Sequence, residues 1–177
     1  MSPEGPLTLS VAKSTALFFF AVVVQVTIVS SIGILGGSPD LVLVLLVAVA
    51  LGNGSIFGAV SGFWAGLVLD VAQIGTLGFT SLLLTLAGFW IGRYGETTGR
   101  DRVHAPLLSV AVVTVLYSVG ALILHYLLRE PASASVALVH VLPGSVLLNL
   151  LLAFPVFALV RRLFQSPRPR PEVEFVG

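Results

Sequence analysis

Charged residues divide this chain into long apolar runs. None occurs in 14–39, 41–69, 71–92, 103–128 or 131–160, and each run exceeds the roughly 18 apolar residues that mark a membrane span. The alternation of a membrane β-barrel is missing. In lipid a helix satisfies its own backbone hydrogen bonds, so the pattern predicts an all-α integral membrane protein. It is expected to be a compact bundle of six transmembrane helices.

The breaks within the runs set the expected elements. Helix one is expected over about 11–34, ending in the glycine-rich GILGGS. The following SPDLVLVLLVAVALGNG reads as a helix start: Ser38 suits the N-cap, Pro39 the first helical position, and Asp40 the positive end of the helix dipole. Gly52-Asn53-Gly54 is a turn signal. This second helix, about 39–52, is only about 20 Å long at 1.5 Å per residue, against about 30 Å of hydrocarbon. The others are expected over about 54–70, 76–93, 105–128 and 136–161. GRYGETTGRDRVH reads as a polar loop and Arg129-Glu130-Pro131 as a turn. Residues 1–164 thus form one six-helix domain. The tail QSPRPRPEVEFVG, 165–177, alternates proline with charge and is expected to be a disordered cytoplasmic segment, its arginines near anionic headgroups. No internal repeat is evident.

Counting 41–69 as two spans puts Lys13, Arg93, Arg100, Arg102, Arg161, Arg162, Arg168 and Arg170 on one side and only Arg129 on the other. The positive-inside rule then favours six spans with both termini cytoplasmic. The first run is longer than a signal-peptide core of about 7–15 residues and is expected to be a retained helix.

Composition adds exclusions. The 177 residues are 56% hydrophobic and 10% charged, with a mean hydropathy of +1.06. Average soluble domains carry about 25% charged residues, so no separate soluble domain fits. Without cysteine there are no disulfides or thiolate sites. HExxH, CxxC, a P-loop and paired intramembrane carboxylates are all absent. Ser61-Gly62 lacks the upstream glycine of a rhomboid-type serine site. His104, His125 and His140 lie in different segments at no spacing a metal would select. No catalytic residue, cofactor, metal site or nucleic-acid partner is expected.

The candidate residues lie in GSIFGAVSGFWAGLVLD, where Gly54, Gly58, Gly62 and Gly66 recur every fourth position and Asp70 follows. Gly88 and Gly92 add another GxxxG. Small residues four apart allow close backbone approach in membranes. Four residues turn a helix about 400°, so the stripe drifts about 40° per step. One neighbour can follow it only by crossing steeply; otherwise two neighbours share it. Three readings stand: the inner helix of a compact bundle, a homodimer seam, or a groove for another protein's helix. Asp70 lies about 24 Å along the helix from Gly54, near a membrane edge. There it can tether the loop 72–78 through backbone N–H groups or contact a ligand or partner. Gln25 and Asn149 are expected to bond between helices. His125 beside Tyr126 reads as interfacial, and Gln73 as a loop residue.

PDLVLVLLVAVA (39–50), GAVSGFWAGLVLD (58–70), LGFTSLL (77–83) and GFWIGR (88–93) together resemble the rod shape-determining protein MreD family of bacterial cell-wall elongation. Pro39, Gly58, Gly62, Phe63, Gly66, Leu67, Asp70, Leu77 and Gly78 carry the pattern. The motifs cover about a third of the chain; helices one, five and six fit only by hydropathy. The resemblance implies a non-enzymatic scaffold of the bacterial cytoplasmic (inner) membrane that binds a single-span MreC-like protein. It also implies connections to MreB filaments, a RodA-type glycosyltransferase and a class B penicillin-binding protein. The family looks similar in fold to S components of energy-coupling-factor vitamin transporters, so a vitamin-binding S component is the alternative. That reading needs converging polar groups, and only Gln73, His125, Tyr126 and Glu130 offer themselves. An ion-conducting protein would need midplane charges, which the runs lack.

Overall fold

The computed structural model describes residues 6–28, 37–73, 77–98, 105–127 and 141–164. They form an all-helical fold of six helices: α1 (Pro6–Thr27), α2 (Leu41–Asn53), α3 (Ser55–Ala72), α4 (Phe79–Thr98), α5 (Ala105–Leu127) and α6 (Leu142–Phe164). Three of them, α3, α5 and α6, are long and apolar enough to cross a membrane. The Lys13–Thr27 part of α1 and all of α2 are shorter apolar helices.

The short helix is the centre. Every residue from Val42 to Ala50 is buried, as expected of a helix that is hydrophobic all round. Helices α1, α3, α4, α5 and α6 all pack against it. The inner-helix reading of the glycine stripe is therefore corrected. The stripe lies on α3, which keeps an exposed apolar face of Ile56, Val60, Phe63, Trp64 and Val71. Enclosure on all sides, rather than glycine content, makes α2 the inner helix.

Helix boundaries also shift, each for a local reason. Helix α2 starts at Leu41 with Asp40, not Ser38, as its N-cap. Asp40 is extended (φ −120°, ψ 91°), and its Oδ1 accepts from Leu43 N at 3.0 Å. Pro39 is buried just outside the helix. Helix α4 runs through GRYGET to Thr98, so the front of the expected polar loop is helical. Gly92 and Gly95 press that turn against the backbone of Gly54 and Leu51, and the Thr97 hydroxyl donates back to Arg93 O at 3.1 Å. Helix α1 begins earlier, at Pro6, and runs to Thr27; residues 29–34 of the expected helix lie outside the described residues. Helix α6 continues to Phe164 through Pro155, which membrane helices tolerate where neighbours satisfy the freed backbone. Its expected start at 136–140 lies outside the described residues, as do the 165–177 tail, His104, Glu130, His140 and the side chain of His125.

Candidate functional site

Helices α3 and α4 run antiparallel, and the glycine stripe is their contact. A Cβ added to Gly58 would meet the carbonyl of Gly88. One on Gly62 would meet that of Leu84, and one on Gly66 the backbone of Ser81. In return, a Cβ on Gly88 would strike Gly58, and one on Gly92 would strike Gly54 and Ser55. One neighbour thus follows the stripe along its whole length. The structure places Gly54, Gly58, Gly62, Gly66, Gly88 and Gly92 together in a seam inside the chain. In lipid, backbone approach of this kind supplies the packing energy.

Asp70 closes one end of that seam. It is 3% exposed. Its carboxylate accepts three backbone N–H groups from the start of α4: Gly78 at 2.9 Å, Thr80 at 3.0 Å and Ser81 at 3.3 Å. These are donors of the first turn of α4, which has no earlier carbonyls to bond them. Gly78, whose N–H donates to Asp70, has φ +90°, a conformation glycine adopts readily. The Phe63 ring is exposed and meets Trp64 edge-on at 6.0 Å, while its carbonyl accepts from Ser81 Oγ at 3.0 Å. Gln73 caps the end of α3 and is exposed.

A second carboxylate, outside the sequence-based candidates, closes the other end. Glu96 Oε1 accepts from Ser55 N at 2.7 Å and Ser55 Oγ at 3.0 Å. Gly54, the N-cap of α3, has φ +96° and no side chain to do this work. Arg93 stands 3.9 Å from the other Glu96 oxygen. The available signal was a helix opening on Gly54 with no capping side chain of its own.

The remaining polar groups knot the start of α2 to its neighbours. Gln25 Nε2 donates to Pro39 O at 3.2 Å, and its Oε1 accepts from Leu41 N at 2.8 Å. Asn149 Oδ1 accepts from Asp40 N at 2.6 Å, and its Nδ2 donates to Thr114 Oγ1 at 3.1 Å. Pro39 is therefore held by α1, and the residue after it by α6. Every buried side-chain nitrogen or oxygen among the described residues has a partner, and no group of three metal-ligating side chains occurs among them. Among the described residues, Gln25, Asp70, Ser81, Glu96 and Asn149 join one helix to another, while Asn53, Thr85 and Thr97 donate back to carbonyls of their own helices.

Comparison with known proteins bears on the same segments. The family model of the rod shape-determining protein MreD matches residues 8–166, well beyond the 39–92 motifs. No curated protein and no solved structure matches the chain.

Proposed function

The chain belongs to the rod shape-determining protein MreD family, and from that premise we propose that it is a non-enzymatic scaffold of the bacterial cell-wall elongation machinery. Its place is in the cytoplasmic membrane, as six spans with both termini inside. There it binds a single-span MreC-like protein and helps to direct peptidoglycan synthesis through a RodA-type glycosyltransferase, a class B penicillin-binding protein and MreB. The observation that carries this reading is the family match across 8–166. Among the described residues, the use of buried Gln25, Asp70, Ser81 and Asn149 to join helices supports it.

The glycine seam changes how the reading is tested. Gly62 lies against the α4 backbone, so bulk placed there strikes this chain before it strikes a partner. The direct test is depletion of the protein in its rod-shaped host, with affinity capture of the wild-type chain from native membranes. Rounded cells, and recovery of a single-span coiled-coil protein with wall synthases, are the expected outcomes. Rods of unchanged width after depletion, or saturable tight binding of a vitamin by the purified chain, overturn the proposal.

A further inference from the structure

The two carboxylate clasps and the glycine seam are related to one another by a single operation. Gly62-Phe63-Trp64 with Gly66 recurs 26 positions on as Gly88-Phe89-Trp90 with Gly92. The same offset carries Ser55 onto Ser81 and Asp70 onto Glu96. Each contact then has a twin. Gly62 on Leu84 corresponds to Gly88 on Gly58, and Gly66 on Ser81 to Gly92 on Ser55. Asp70 accepting from Ser81 N corresponds to Glu96 accepting from Ser55 N. The aromatic pairs agree too: Phe63–Trp64 at 6.0 Å and 78°, Phe89–Trp90 at 5.9 Å and 80°. All four rings are exposed. The expectation of no internal repeat is thereby corrected. Between 55–70 and 81–96 only Ser, Gly, Phe, Trp and Gly are identical, and in an antiparallel pair the two copies face opposite ways.

We infer that α3–α4 is a one-helix inverted repeat whose register is set by exchanged carboxylates, with Glu96 serving as the positioning residue for α3 that Asp70 is for α4. The physical need follows from the seam. Small residues spaced by four present nearly the same surface after a slide of one turn, about 5.4 Å, so close packing alone specifies register weakly. A carboxylate accepting N–H groups at a helix N-terminus is directional and sits at the positive end of the dipole. A one-turn slide would break both clasps together. Each helix thus ends in the group that fixes where the other begins, and the two Phe-Trp pairs are held at fixed heights. This inference rests on the contacts within the chain and is independent of which partner the protein binds.

Amide hydrogen exchange on the full-length protein in lipid nanodiscs tests the clasps. Glu96→Ala should speed exchange at Ser55 about five- to tenfold, as for a lost cap, and leave Gly78, Thr80 and Ser81 unchanged. Asp70→Ala should do the reverse. Unchanged protection at the distant helix start in either variant overturns the exchange of carboxylates. Register is read separately, by disulfide trapping in this cysteine-free chain. Ser61→Cys with Ala87→Cys, equivalent positions that the Gly62–Leu84 and Gly58–Gly88 contacts set level across the seam, should link faster than the one-turn-shifted pair Ser61→Cys with Ile91→Cys. Adding Glu96→Gln, which retains an acceptor oxygen, should narrow that ratio modestly, and Glu96→Leu should narrow it several-fold. A ratio unmoved by Glu96→Leu overturns the register role.

Discussion

At the scale of single residues, the polar side chains act by closing backbone accounts that the helices leave open. Asp70 takes three first-turn N–H groups of α4, and Gln25 takes the N–H of Leu41 and bonds Pro39 O. Removing either leaves partly buried backbone groups unpaired, at about 1 kcal/mol each, the low end of the cost for a buried group. Asp70→Ala should therefore cost about 3 kcal/mol or more, and Gln25→Leu about 2 kcal/mol, measured by thermal unfolding in detergent. A variant at either position that melts like wild type would remove the capping account. The sequence made Asp70 legible because it is a lone charge in a long apolar stretch. Glu96 was hidden among the charges of GRYGETTGRDRVH, where a carboxylate reads as solvated. Nothing local tells a loop glutamate from one that reaches across to a helix start 41 positions away.

Between elements, the seam separates glycines that are occupied by a neighbour from glycines that are not. A Cβ on Gly62 runs into the Leu84 backbone, whereas one on Gly52 meets nothing within 4 Å. Gly62→Leu should force α3 and α4 apart and cost at least 3 kcal/mol, in line with severe overpacking. Gly52→Ala, inside α2, should instead be neutral or stabilise by about 0.5–1 kcal/mol, because alanine loses less chain entropy in a helix. Equal effects at the two sites, read from unfolding midpoints, would show that glycine content rather than contact sets the packing. Spacing revealed the stripe itself. It did not reveal the neighbour, because a drift of 40° per step allows one steeply crossing helix or two in turn. That choice is made by α4, whose own small residues Gly88 and Gly92 continue the same seam. Nor did composition mark α2 as the centre: it is the first part of one apolar run among five, and only enclosure by its neighbours sets it apart.

For the whole molecule the deciding question is whether 41–69 crosses the membrane once or twice. The fold has a bearing on this, because α2 ends at Asn53, α3 begins at Ser55, and the single residue between them is Gly54 at φ +96°. A φ in that range interrupts a right-handed helix, so α2 and α3 are two helices rather than one. The antiparallel seam then returns α4 along α3. With a cytoplasmic N-terminus, two spans place Gln73 outside and Thr97 inside, while one span reverses both. Gln73 and Thr97 are exposed, and the chain has no cysteine of its own, so single cysteines there report without background. Gln73→Cys should react with a membrane-impermeant maleimide in intact spheroplasts. Thr97→Cys should react only after the membrane is opened. The opposite labelling would place the basic cluster of Arg93, Arg100 and Arg102 outside, against the positive-inside rule, and would end the six-span arrangement. The expected pattern would set the Asp70 clasp at the outer face and the Glu96 clasp at the cytoplasmic face. The inverted repeat would then be fastened once on each side of the bilayer.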